Sequence, residues 1–173
     1  MANRKQIQCL CLIPEEPIWV EVDIARLRDI IVNLFSNAIK FTPEGGKITF
    51  LFRRLNNQQV QITIQDTGIG IAPEHLEKIF ERFYQVRQPG RPTIGTGIGL
   101  SYVAEVTRAM GGNIDVSSKP GEGSLFVLTL PMKALSDNQR HTLSGVESPD
   151  KADQAKRLST SEVLATDPAL PLL

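Results

Sequence analysis

This sequence predicts an α+β two-layer sandwich, with one mixed and mostly antiparallel sheet and helices on one of its faces. Short runs alternate between apolar and polar residues and follow one another as hairpins, which is the period-2 signature of half-buried strands. Between them lie longer stretches whose apolar residues recur at helical spacing. Hairpins beside long helices pack best as a sheet with one helical layer.

The elements follow in order. A strand is expected over residues 7–13 and another over 18–22. A helix starts near Asp23, a residue type that caps helix N-termini, and runs to Phe41. Leu27, Ile31, Leu34, Ala38 and Phe41 form its apolar stripe, assigned to the core. Strands over 47–54 and 60–66 flank a turn at Asn56-Asn57. In the second strand Val60, Ile62 and Ile64 point inward and Gln59, Gln61, Thr63 and Gln65 outward, which leaves Asp66 at the strand end. A second helical stretch spans 73–84, with Pro73 at a first helical position. Residues 85–94 then form a loop punctuated by Pro89-Gly90 and Pro92. A helix over 99–110 carries Leu100, Val103, Ala104, Thr107 and Met110 on one side and stops at Gly111-Gly112. Strands over 113–118 and 125–130 complete the sheet, which would thus carry three helices.

Composition divides the chain into a lead-in strand (1–16), one globular domain (17–134) and a polar tail (135–173). In the tail Ser, Asp, Asn, Gln, Lys and Pro dominate and aromatics vanish, as in linkers; only 157–165 has helical character. Over 173 residues, 41% are hydrophobic and 22% charged, ordinary values for a globular protein. Nineteen Lys and Arg against 19 Asp and Glu give a net charge of zero, so no electrostatic case for nucleic acid arises. No apolar run approaches the ~20 residues of a membrane helix and no signal peptide is evident, so the expectation is a cytoplasmic fragment without direct membrane contact. Cys9 and Cys11 point to one side of a strand, too poorly placed to bond to each other, and are expected as reduced core or interface thiols.

Chemistry concentrates in a few short runs. In GTGIGL, residues 95–100, glycines at alternate positions free the backbone for φ > 0 and its amides for an anion. The loop empties into a helix N-terminus, which favours negative charge. A dinucleotide fingerprint is excluded by the G-x-G-x-G spacing and by the poor strand Arg91-Pro92-Thr93-Ile94; a P-loop is excluded because no lysine follows the glycines. In DTGIGI, residues 66–71, a carboxylate sits at the rim of an apolar pocket, where it can accept a hydrogen bond from an exocyclic amine such as that of adenine. On the first helix Asn33, Asn37 and Lys40 lie at i, i+4 and i+7 on a face beside the core. The Asn37 carboxamide oxygen could ligate Mg²⁺ and Lys40 could neutralise a phosphate. Taken singly, each run is also the pattern of a turn or of a solvated helix face.

Together and in this order the runs resemble the catalytic and ATP-binding domain of a sensor histidine kinase, within the gyrase, Hsp90, histidine kinase and MutL (GHKL) superfamily with its Bergerat-type fold. NLFSNAIKFT is similar to that family's N box, DTGIGI to its G1 box, FERF to its F box and GTGIGLS to its G2 box. GGNIDVSSKPGEGSLFVLTLP resembles its closing strands, and the likeness covers roughly residues 17–132. It implies a protein-histidine kinase with ATP and Mg²⁺ as cofactors. Asn37 would hold Mg²⁺, Asn33 and Lys40 would approach metal and phosphates as the catalytic residues, and Phe41 would flank the nucleotide. Asp66 would bind adenine in a pocket shaped by Gly68, Gly70 and Ile71. Gly95, Thr96, Gly97, Gly99 and Leu100 would close over the phosphates. Residues 85–94 would be a mobile lid from which Arg87 and Arg91 reach phosphate, with Phe80 and Phe83 packing its base.

Two departures sharpen this. Superfamily members that hydrolyse ATP with water usually carry a glutamate base where this chain has Asn33, and an amide cannot accept that proton. Neither His75 nor His141 lies in an H-[DE]-x-x-[TN]-P sequence, so the phosphoacceptor must come from elsewhere. The implied partners are a dimerisation and histidine-phosphotransfer domain of the same protein and a response regulator receiver domain. The tail is compatible with a hybrid kinase and equally with an ordinary disordered end. An ATPase clamp of the gyrase or Hsp90 sort, or a nucleotide-sensing module that binds without transferring, are the alternative readings.

Overall fold

Residues 47–66 build the centre of the molecule. Strand β2 (Lys47–Arg54) and strand β3 (Gln59–Asp66) pair antiparallel, from Ile48 opposite Asp66 to Arg54 opposite Val60. Their turn is closed by the Asn56 side chain, which accepts from the Gln58 amide at 2.8 Å. A computed structural model describes residues 5–15, 18, 22–86 and 95–132. Strand β1 (Gln8–Leu12) lies parallel to β2 at one edge. Strands β4 (Asn113–Lys119) and β5 (Gly123–Pro131) form a second hairpin, and the sheet order is β1-β2-β3-β5-β4. Apart from β1 the sheet is antiparallel.

Two α-helices cover one face. Helix α1 (Ile24–Phe41) begins where the Asp23 carboxylate accepts from the Ala25 and Arg26 amides, both at 3.1 Å, as its N-cap position requires. Helix α2 (Gly99–Ala109) ends at Met110, followed by Gly111 at φ 74°, the left-handed residue expected after a helix. Ile30, Leu34 and Ala38 of α1 and Val103 of α2 bury against Ile48, Ile62, Ile64, Phe126 and Leu128 of the sheet. The Phe35 and Phe50 rings meet at 5.9 Å across this layer.

Several expectations need correction. The stretch expected as a helix over 73–84 is two 3₁₀ turns, Pro73–His75 and Lys78–Phe80, so among the described residues two α-helices rather than three cover the sheet. Pro73 does start the first turn. The helix fails because Phe83 sits at φ 67° and donates its amide to Gly97 O at 2.8 Å, a bond across the chain that no helix allows. Phe41 is 42% exposed rather than core, because the end of α1 overhangs the 66–71 loop, and Ile30 takes the buried place. Gln61 and Thr63 are buried although they face away from the helices, since β3 is central and Arg53 Nε donates to Gln61 Oε1 at 2.8 Å. Cys9 and Cys11 form no disulfide with each other and are exposed, not core, because β1 is an edge strand. Of the expected strand over 18–22, residues 19–21 lie outside the described residues, as do 87–94 and the tail. Among the described residues no helix is long and apolar enough to cross a membrane.

Candidate functional site

Asp66 ends β3 and is 5% exposed. One of its oxygens, Oδ1, accepts from the Gly68 amide at 2.8 Å, and the Ser124 backbone, its partner across the β3–β5 ladder, also bonds to it. Burial pushes the carboxyl above its usual range, and those two backbone bonds only partly oppose the shift. Among the described residues no cation pairs with it. A buried carboxylate with two backbone donors and no counter-ion is unfavourable for the fold alone and is a candidate place for a ligand donor.

The loop that follows is pinned on two sides. Toward α1, Ile69 N donates to Phe41 O at 3.3 Å, and a Cβ on Gly68 would lie 2.7 Å from that same oxygen. Toward the β4–β5 hairpin, the Gly121 amide donates to Ile69 O at 2.8 Å, and the Ile71 amide to Ser118 Oγ at 2.8 Å. Ser118 Oγ in turn donates to Gly123 O at 2.7 Å. Gly70, at φ 68°, packs so closely on the Lys119 carbonyl that no side chain fits. Ser118 and Ser124 are thus site residues that sequence reasoning missed; the run SSKPGEGS carried the signal only as part of the closing strands.

The polar face of α1 looks onto the second glycine loop. Asn33 Nδ2 donates to Asp29 O at 2.8 Å, which leaves Oδ1 facing α2, where a Cβ on Gly99 would come within 2.8 Å of it. Lys40 Nζ stands 4.5 Å from the centroid of the Phe41 ring, and a Cβ on Gly95 would be 3.1 Å from it. Partial burial lowers the Lys40 pKa, so its ammonium gains from an anionic neighbour. Asn37, half-buried between them, makes no side-chain hydrogen bond among the described residues.

In residues 95–100 the backbone takes the conformations that the glycines were expected to allow. Gly95 and Gly97 have φ of 110° and 73°. Ile98 is the N-cap of α2 and offers no side-chain cap, and no acidic residue occupies the first turn, so the first amides of the helix stay available. Thr96 is exposed, and Leu100 packs against the core. Gln85 Nε2 donates to Gly95 O at 2.9 Å, and Arg82 binds Glu105 of α2 at 2.9 and 2.8 Å. The two ends of the 87–94 segment are therefore held together, while Arg87 and Arg91 lie outside the described residues. Of the two phenylalanines expected at the base of the 85–94 loop, Phe80 packs against the core and Phe83 is 72% exposed.

Asp66 and Gly68, Phe41 and Lys40, Lys40 and Gly95, Asn33 and Gly99 thus form one continuous rim, with Phe41 as the corner shared by both loops. Among the described residues no group of His, Cys, Asp and Glu could hold a metal, so a metal here would rest on amide oxygens and on the ligand itself. A groove at the opposite end of the sheet, lined by Val22, Met110, Leu130 and Met132, has Asp23 as its one charged group, already spent as the cap of α1.

The sequence profile of the histidine kinase-, DNA gyrase B- and HSP90-like ATPases matches residues 22–134. Sensor histidine kinase WalK of Bacillus subtilis (strain 168) is 35% identical over 135 residues, which cover 77% of this chain and 22% of WalK. Aerobic respiration control sensor protein ArcB of Escherichia coli (strain K12) is 41% identical over 123 residues, 70% of this chain and 16% of ArcB. The crystal structure of full-length ShkA in complex with AMPPNP superposes with a TM-score of 0.68 at 31% identity, over 78% of this chain and 28% of ShkA. The chain spans less than a quarter of the length of either curated relative. On the profile match, and with box order, sheet and glycine loops in agreement, the chain belongs to the histidine kinase-, DNA gyrase B- and HSP90-like ATPase family, as an ATP-binding catalytic domain of the sensor histidine kinase kind.

Proposed function

We propose that the chain binds Mg²⁺-ATP along the rim between α1 and the two glycine loops and supplies the γ-phosphate to a histidine on a separate dimerisation and phosphotransfer domain of the same protein. The observation that carries this reading is Asp66, a buried carboxylate held by the Gly68 and Ser124 backbone with no counter-ion among the described residues, whose remaining lone pairs can accept from an amine. Adenine supplies that amine. Gly68, Gly70 and Ile71 bring backbone and apolar surface close to the base, and Phe41 flanks it.

Lys40 and the amides of the 95–100 loop receive phosphate charge, with Thr96, Gly97 and Gly99 at the loop and Leu100 anchoring it to the core. Asn37 and the Oδ1 of Asn33 would hold Mg²⁺; a hard cation that keeps several waters fits neutral amide oxygens beside a phosphate chain. The metal would neutralise phosphate charge during transfer. Arg87 and Arg91 are assigned to the phosphates from the lid. Transfer itself is in-line attack by the partner's imidazole nitrogen on the γ-phosphorus, with the bond to the β,γ-bridging oxygen breaking and ADP leaving, so the chain contributes position and charge rather than a base. That agrees with an amide, Asn33, at the catalytic position. The phosphoryl group would pass on to a response regulator receiver domain, in the cytoplasm where ATP is held. Phe83, exposed and at a positive φ beside Gly97, is available to meet the incoming domain.

The test is a transfer assay with γ-labelled ATP, this chain and the histidine-bearing domain of the intact protein. Label on histidine that Asn37→Ala abolishes is expected. No label on that domain, or phosphate release by the chain alone at the rate of a gyrase-type ATPase, contradicts the reading.

A further inference from the structure

The carbonyls at the end of α1 are all hydrogen-bonded. Ala38 O accepts from the Thr42 amide at 3.0 Å and from Thr42 Oγ1 at 2.6 Å. Phe41 O accepts from Ile69 N at 3.3 Å and Pro43 O from Gly46 N at 3.2 Å. The remaining carbonyls, those of Ile39, Lys40 and Thr42, all go to the ammonium of Lys5, at 3.0, 2.9 and 3.0 Å. A lysine ammonium has three protons, and here each has a helix-end oxygen where the dipole is negative.

Lys5 is not a neighbour in sequence; it belongs to the segment that enters β1. That segment clasps the α1–β2 turn from both sides, since Gly45 N donates to Lys5 O at 2.9 Å and Gln8 N to Gly46 O at 2.8 Å. Between these bonds Gln6 is held at φ 50°, unfavourable for a non-glycine residue and sustained by its surroundings. Thr42, at the centre, is fully buried. Lys40 is the basic residue in the last turn of α1, but its side chain stands over Phe41 and beside Gly95, so the role of helix-end cation falls to Lys5.

The same turn carries the nucleotide rim. Lys40 and Phe41 leave it toward the phosphate loop, and the Phe41 carbonyl fixes the loop that starts at Asp66. We propose that Lys5 is a positioning residue for the nucleotide site: its ammonium sets the last turn of α1 against the 66–71 loop, so that displacement of the segment entering β1 changes ATP affinity. This rests on the ATP-binding reading above.

Two measurements on the full chain test it, with Lys5→Met removing the donor and keeping the stem, and Lys5→Arg restoring donors and charge. In calorimetric titration, at a temperature where circular dichroism shows the fold intact, Lys5→Met is expected to weaken ATP binding by about fivefold or more, and Lys5→Arg to recover most of it. In nucleotide-free NMR spectra the amide signals of Gly68 and Ile69 should shift in Lys5→Met and return in Lys5→Arg. A lower melting temperature with ATP affinity within about twofold of wild type and unmoved Gly68 and Ile69 signals would make Lys5 a mere structural cap and overturn the proposal. If the wild-type chain binds no ATP, the function proposed above fails, and the two amide signals still decide the Lys5 link. Should Lys5→Met not fold, Lys5→Gln, which keeps a neutral donor, is read the same way.

Discussion

The proposed specificity rests on one side chain, Asp66. Its Oδ1 is committed to the Gly68 amide, so an asparagine there must keep its oxygen on that amide and turn its NH₂ into the pocket, donor against donor. Asp66→Asn should weaken ATP binding by about tenfold to a hundredfold. The melting temperature should stay level or rise, because a neutral amide escapes the burial that strains the carboxylate. The pH dependence has a defined sign. Burial raises the folded pKa above the unfolded one, so protonation favours the folded state, and this group's contribution to stability falls as pH rises through that window. ATP needs the ionised form, so affinity should drop as pH falls through the raised pKa, beginning above the ordinary aspartate range. Titrations across mildly acidic pH should show that drop in the wild type and a flatter profile in Asp66→Asn. Lys40, whose pKa burial lowers, is proposed to serve phosphate rather than base: Lys40→Met should weaken ATP markedly and AMP little, and equal losses for both would move it out of the phosphate role. The candidate carboxylate was legible because alternation from Val60 to Gln65 placed Asp66 at a strand end. Ser124 was not, since its place beside Asp66 depends on the β3–β5 register, which no local pattern encodes.

At the scale of elements, the two glycine loops do different work. The sequence suggests backbone freedom for both, and in 95–100 that holds. In 66–71 Gly70 is above all a packing residue, because its neighbour is the Lys119 carbonyl of the opposing hairpin. Gly45 offers a control, with φ 74° and open space around its Cβ position. Gly45→Ala should cost about 1–2 kcal/mol, the left-handed penalty alone. Gly70→Ala, with the clash added, should cost clearly more by urea unfolding; equal losses would refute the packing role. The 73–84 stretch shows where local reading fails. Its apolar spacing fits a helix, but the Phe83 amide belongs to Gly97, and that tertiary bond outweighs propensity. The same bond, with Gln85 to Gly95, holds residues 83–85 against 95–97, on either side of the 87–94 segment. α1 was readable almost residue for residue from its Asp23 cap and stripe; only its last residue went astray, because where a helix overhangs a loop is set by the loop.

Across the whole molecule, the antiparallel core and its order of boxes follow from alternation and spacing, whereas the parallel pairing of β1 with β2 and the clasp of Lys5 on α1 link residues far apart in sequence and leave no local trace. The result is a site assembled at one end of the sheet from three separate segments, with a fourth, the entry to β1, holding the joint. The proposed site would bind and orient ATP but has an amide where a hydrolytic base would stand, so the isolated chain should bind ATP and turn it over slowly. The most direct test of this account is a calorimetric titration of the chain with ATP, with and without Mg²⁺, beside Asp66→Asn and Asn37→Ala. Saturable binding that Asp66→Asn removes and Asn37→Ala uncouples from Mg²⁺ is the predicted result. A folded wild type that does not bind ATP, or binding that Asp66→Asn leaves untouched, would contradict it.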